Sequence, residues 1–207
     1  EVTSRREREE RVDEVLAEAI GTPGADRGRA IVYSPTRRLA EEEAQRLAEA
    51  GWRAHAYHAG LSGRERERVQ GEFLGGRAEV IVATNAFGMG IDRPDVRVVV
   101  HLAPPGSVEA YYQEVGRAGR DGADAIGLLL ISPGDMAVRR HLIESDVEGR
   151  VPDPETVRHR WNLFLELMRW AEGGSCRHDA ILRYFSDEKE TLSGCGRCDN
   201  CLGLDDA

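Results

Sequence analysis

The only four cysteines of this chain lie near its C-terminal end, as Cys176 and then Cys195-Gly-Arg-Cys198-Asp-Asn-Cys201. Thiolates separated by two residues can converge on one ion, and Cys176 arrives from the start of a predicted helix as a fourth ligand. Such a set suits Zn²⁺, which takes tetrahedral sulfur or nitrogen donors at roughly 2.3 Å for thiolate. An iron–sulfur centre and disulfides are the alternatives. Disulfides fit poorly, because cysteine is sparse and no apolar signal segment precedes the chain. Four thiolates leave no open position for water, so this site is expected to fasten a small polar segment rather than to react.

Two other segments carry groups that suit phosphate chemistry. Ala83-Thr-Asn-Ala-Phe-Gly-Met-Gly-Ile-Asp92 starts where an apolar run ends. Gly88 and Gly90 permit tight backbone geometry, Thr84 offers a hydroxyl, and Asp92 is suited to orient a ribose, a water or an arginine. A structural turn explains the glycines equally well. Tyr111-Tyr-Gln-Glu-Val-Gly-Arg117-Ala-Gly-Arg120-Asp-Gly122 spaces two arginines by one helical turn. Planar, permanent charges suit phosphate oxygens or a phosphoryl group in transfer. The plainer alternative is a helix C-terminus with two favourable cations. No G-x-x-x-x-G-K-[ST] occurs, and no acidic pair at a strand end is placed to hold Mg²⁺. A nucleotide's phosphates would therefore need a cradle from another domain.

The elements that must position these groups alternate. Residues 5–20 form an amphipathic helix with Val12, Val15, Leu16 and Ala19 on one face, ended by Gly21. Strands are predicted at 30–33, 53–57, 79–83, 97–101 and 125–131, the last as a buried strand. Helices fall between them, after Ser34-Pro-Thr36, after Ser62, and over 107–115. This order predicts an α/β fold, a doubly wound parallel sheet flanked by helices. The ligand edge then lies at the C-terminal ends of the strands, near Ser34 and Thr84. After Pro133 the texture becomes helical, at 135–145, 155–171 and from Cys176, so the division is set at 1–132 and 133–207.

The formal charge of −9 argues at first against a polyanionic partner. Its distribution softens that: residues 58–120 carry eight acids and eight bases, whereas 121–207 carry seventeen against ten. Lys189 is the only lysine, so arginine abundance says nothing by itself. No apolar run reaches the roughly 20 residues of a membrane span. Glu1 is not a natural initiator, and the chain is expected to be cut from something longer.

The chain resembles the RecQ family of ATP-dependent DNA helicases, as a second RecA-like domain followed by a helical zinc-binding subdomain. The likeness rests on IVYSPTR at 31–37, YHAGL at 57–61, VIVATNAFGMGIDRPDVR at 80–97, YYQEVGRAGRDG at 111–122, Cys176-Arg177 through Ile181-Leu-Arg-Tyr-Phe185, and CGRCDNC at 195–201. It covers residues 28–203. The resemblance implies that Thr84 to Asp92 couples a nucleotide cleft to a nucleic-acid backbone, with Thr84 near DNA and Gly90 and Asp92 facing the cleft. It makes Gln113, Arg117 and Arg120 the last helicase motif. Arg120 becomes the finger to the γ-phosphate and Arg117 its organising partner. Ser34, Thr36, Arg37 and the turn at His58 would track single-stranded DNA, with an internal bond from the His58 ring as the structural alternative. Val115 departs from the pattern, standing where threonine is common.

The resemblance further implies ATP and Mg²⁺ bound only together with a first RecA-like domain, which this sequence lacks. A winged-helix domain often follows in such proteins. The implied activity is translocation on single-stranded DNA with unwinding of duplex DNA, in the cytoplasm and on the nucleoid if bacterial. Alone, the chain is expected to be inactive. A non-catalytic DNA- or protein-binding module is the competing reading, and an RNA translocase explains the cysteines poorly.

Overall fold

The computed structural model describes residues 2–88, 91–145, 152–187 and 194–203. They divide into two compact units, Glu1–Pro105 with Gln113–His141, and Gly106–Tyr112 with Leu142–Ala207.

The first unit is built on strands β1 (Arg29–Tyr33), β2 (Ala54–Tyr57), β3 (Val80–Ala83), β4 (Val96–His101) and β5 (Ile126–Leu129). They form one parallel sheet in the order β2-β3-β1-β4-β5. The central strands are apolar on both faces because both faces are covered. Ala30, Val32, Val80, Val82, Val98 and Val100 pack with helices α1 (Arg5–Ile20) and α2 (Arg37–Glu49). Ile31, Tyr33, Ile81, Ala83 and Val99 pack on the other side with Val69 and Phe73 of α3 (Gly63–Leu74). This is the doubly wound α/β fold that the alternation predicts.

Local chemistry sets the helix starts. Ser62 makes a full capping box with Glu65, and Thr36 accepts the Leu39 N–H at 3.2 Å. The reading of residues 125–131 as a buried strand is corrected. Strand β5 is the sheet edge, shorter and only partly covered.

Strand order decides what the site loops do. β3 and β4 flank β1, so the connection between them must cross the sheet face beside β1. Phe87 and Ile91 of that connection are buried in the second core. Phe87 meets Tyr57 and Phe73 edge-on at centroid distances of 4.7 and 5.7 Å.

The second unit is helical. α6 (Pro154–Glu172) starts on Asp153, which accepts the N–H groups of Glu155 and Thr156, and buries Phe164, Leu167 and Met168. α7 (Arg177–Tyr184) and α8 (Asp199–Leu202) follow. Tyr111 joins this unit, with its ring 4.7 Å from Trp170. Helices α4 (Val108–Val115) and α5 (Asp135–Glu144) precede α6 in the chain.

Candidate functional site

The loops leaving β1, β2 and β3 are laced together at their C-terminal ends. Ser34 N–H donates to Ala83 O at 2.7 Å, and Thr84 N–H donates to Tyr57 O at 3.1 Å. Thr36 and Thr84 are half-buried on this edge, and Arg37 is exposed. The Arg37 guanidinium lies over the turn after β2, where a Cβ on Gly60 would stand 3.3 Å from Nη1.

Two residues expected to touch DNA are turned inward. Ser34 is buried and its hydroxyl donates to Thr36 O at 3.1 Å. His58 is 3% exposed. Its Nδ1 accepts the Gly60 N–H at 3.2 Å, which places the ring proton on Nε2, 2.9 Å from Glu41 Oε1. Both side chains bond within the fold, Ser34 to the turn that carries Thr36 and His58 to Glu41 and the turn at Gly60.

The two arginines meet the same loop from one side, in different ways. Arg117 Nη1 donates to Gly88 O at 2.7 Å, and a Cβ on Gly88 would lie only 2.7 Å from Nη2. An alanine there would push the Arg117 guanidinium away from the loop. Tyr33 holds the neighbouring carbonyl, its hydroxyl donating to Phe87 O at 3.1 Å. Burial pushes the Tyr33 phenol well up, which keeps it a donor, against the opposing pull of the Arg117 charge. Arg120 is exposed, and its Nη1 bonds Asp92 Oδ1 at 2.7 Å. Gln113 is exposed, and Gly90 lies outside the described residues. Tertiary structure thus joins Asp92, Gly88, Arg117 and Arg120, and keeps Arg37, Thr36 and Thr84 on the strand-end edge.

The cysteines form a second site. Their four Sγ atoms lie within 4.8 Å of one another. A zinc–thiolate bond of about 2.3 Å implies tetrahedral edges of about 3.8 Å, and the Cys176 and Cys198 sulfurs are 4.0 Å apart. Backbone N–H groups aim at sulfur, Cys195 to Cys176 at 3.3 Å and Cys201 to Cys198 at 3.4 Å. Burial alone would raise the Cys176 thiol, but N–H groups of Asp179 and Cys195 outweigh it and bring the thiol down to about 7. At Cys201 a Gly196 N–H acts downward, yet the Cys198 and Cys176 sulfurs prevail and push it up to about 11. Sulfurs this close compete for protons, and a divalent cation relieves that competition. The donor set fits zinc.

Arg177 braces this centre. Its Nη1 donates to the carbonyls of Trp170, Ala171 and Gly173 at 2.8–2.9 Å, closing the end of α6. Its Nε and Nη2 fork onto Asp199, between two ligands. Asn200 Nδ2 donates to Gly173 O and Ser175 O. From the sequence alone Arg177 has no role beyond its place in the likeness, and Asn200 has none. The available signal was their adjacency to ligand cysteines.

The family model for the helicase conserved C-terminal domain matches residues 9–122, and that for RecQ zinc-binding matches residues 133–202. The chain belongs to the RecQ helicase family. A protein of Haemophilus influenzae called ATP-dependent DNA helicase RecQ is 40% identical over 173 residues, covering 83% of this chain and 27% of that protein. The protein of the same name from Bacillus subtilis is 40% identical over 171 residues, covering 83% and 28%. The chain thus spans about a quarter of the length of these curated relatives. Among solved structures, the E. coli DEAD-box protein SrmB, bound to regulator of ribonuclease activity A, superposes with a TM-score of 0.56 at 25% identity, covering 75% of this chain and 89% of that one.

In this RecQ chain the four cysteines are a structural zinc site, with Cys176, Cys195, Cys198 and Cys201 as ligands. Among the described residues, no helix is long and apolar enough to cross a membrane.

Proposed function

We propose that this chain is the second half of the motor of an ATP-dependent DNA helicase that translocates on single-stranded DNA and unwinds duplex DNA. The observation that carries the reading is the gathering of Arg117 and Arg120 on the loop after β3, at the edge where parallel α/β sheets bind ligands. ATP with Mg²⁺, held mainly by a first RecA-like domain, supplies the phosphoryl group. Arg117, committed to Gly88 O, holds the loop. Arg120 sits in an exposed pair with Asp92, and such pairs contribute roughly 0–1 kcal/mol. Its guanidinium can therefore leave Asp92 at little cost and turn to the charge that develops in transfer. Gln113, exposed on the same motif, is assigned to the cleft beside it, and Gly90 with Asp92 to the cleft-facing loop.

Thr36, Arg37 and Thr84 would contact the DNA backbone, with Ser34 and His58 holding their turns, so this half would read little sequence. The overall charge of −9 implies weak DNA binding by the chain alone at physiological salt. The motor half and the zinc-binding half are taken to divide near residue 133. Alone, the chain should not turn over ATP, since it has no P-loop.

The decisive experiment uses the full-length helicase. Arg120→Ala should retain zinc and nucleotide binding and lose on the order of 10³-fold or more in kcat for DNA-stimulated ATP hydrolysis. Normal hydrolysis by Arg120→Ala, or brisk turnover by the purified chain itself, would reject the finger assignment.

A further inference from the structure

Glu114 has no role in the reading above, yet it closes a ring of contacts around the loop after β3. Its Oε2 lies 2.8 Å from Nε2 of His101, whose side chain is 1% exposed. His101 ends β4 and is registered opposite Tyr33 of β1, so their rings stack at 5.2 Å and 20°. The Tyr33 hydroxyl holds Phe87 O, and Arg117 holds the next carbonyl, Gly88 O. The Arg117 N–H in turn donates to the Glu114 carbonyl at 3.3 Å. Glu114 therefore bonds the sheet through its side chain and Arg117 through its backbone. Two residues further on, the Gly119 N–H donates to Val96 O at 2.9 Å. Residues 114–119, which carry Arg117 and lead into Arg120, are thus pinned to β4 at each end.

We infer that Glu114, acting through His101, is a positioning residue for Arg117 and Arg120. The Glu114–His101 bond fixes the rotation of the end of the helix over residues 108–115, and the Arg117 N–H on the Glu114 carbonyl carries it into the turn that presents Arg117. A carboxylate next to an imidazole is a costly way to fill a core, because both groups lose hydration. An apolar pair would pack as well but would leave that rotation free. The inference rests on the motor reading for its catalytic consequence, but not for its geometry.

Two measurements test it separately. In this chain, Glu114→Ala should speed hydrogen exchange at the Phe87 amide, which donates to Thr84 O at 3.1 Å, by about tenfold, and leave the amides of α2 and α3 unchanged. Glu114→Gln keeps an acceptor for His101 and should restore protection. In the full-length helicase, Glu114→Ala should lower kcat for ATP hydrolysis by about tenfold at nearly constant KM, again with rescue by Gln. Glu114→Asp keeps the charge but shortens the reach, and serves if the Ala variant fails to fold. It should show the same kcat loss at unchanged KM.

Arg120→Ala run in parallel separates the two readings. If Arg120→Ala is inactive and Glu114→Ala has normal kcat, the positioning role is overturned and the motor reading stands. If Arg120→Ala is fully active, the motor reading falls and the exchange result decides. Unchanged Phe87 protection in Glu114→Ala then overturns the positioning role as well.

Discussion

Replacing Gly88 by alanine probes the contact on which the candidate site turns. Gly88 is not among the glycines with positive φ, so alanine meets no backbone penalty there. The added Cβ would instead stand 2.7 Å from Arg117 Nη2 and 3.3 Å from Cζ. Ordinary contact needs about 3.5 Å, so the guanidinium must withdraw by about 0.8 Å. That stretches the 2.7 Å bond from Nη1 to Gly88 O past hydrogen-bonding range. A hydrogen bond to a charged group contributes about 1.5–3 kcal/mol, and water regains part of it at a half-buried arginine. About 1 kcal/mol of stability should be lost, a Tm decrease of roughly 2–4 °C for a chain of this size. Turnover should suffer far more, because misplacement near 1 Å can lower it by about 100-fold. Thermal unfolding of the chain, and DNA-stimulated ATP hydrolysis by full-length Gly88→Ala, measure the two effects. In an Arg117→Ala background the Gly88→Ala change should add nothing. An equal loss in both backgrounds, or an unchanged kcat, would refute the reasoning.

The buried carboxylate of Glu79 should carry a pH signature. Burial would raise its pKa, but the Arg53 side chain and the N–H groups of Arg53 and Gly24 outweigh burial and hold it below the usual carboxylate range. A depressed folded pKa means stability that is present above the unfolded pKa and lost as pH falls through the folded one. Glu79→Gln should therefore cost about 1–3 kcal/mol at pH 7, with the gap to wild type closing below about pH 4.5. Urea unfolding across that range checks it, and a gap that widens in acid would contradict the assignment. Zinc removal should act on the other unit. Cys198→Ser or chelation should abolish the single bound zinc and expose residues 152–203 to protease while the parallel sheet keeps its circular dichroism, since structural zinc supplies about 10–16 kcal/mol in small metal-bound folds. Elemental analysis with limited proteolysis is the assay, and a protease-resistant tip without metal would reject the site.

Much of the architecture was legible because it depends on short-range pattern. Runs such as Val80–Ala83 read as buried parallel strands, Ser62 and Thr36 announce their helices, and the cysteine spacing carries its own geometry. The likeness of the central motifs to RecQ proteins followed from the same local residues. Strand β5 was misjudged because an apolar run does not say whether a neighbour covers it. The inward turn of Ser34 and His58 was equally hidden, since a polar side chain at a strand end reads the same whether it faces solvent or Glu41.

By itself, then, the amino-acid order determined the periodicity of the elements, the helix caps, the four sulfur ligands and the presence of two arginines three positions apart. Each is a property of residues near one another in the chain. The structure places the two arginines in the turn after the helix ending at Val115 rather than on one helical turn. Only the tertiary structure decided that Arg117 closes on Gly88, that Arg120 pairs with Asp92, that Glu114 reaches His101, and that Arg177 clasps Asp199 and the end of α6. In the first unit the physical reason is strand order. Placing β3 and β4 on either side of β1 brings Gly88 and Asp92 and the segment at 113–120 to one edge. In the second, convergence of four thiolates folds the chain back so that residues 22 apart, Arg177 and Asp199, become neighbours.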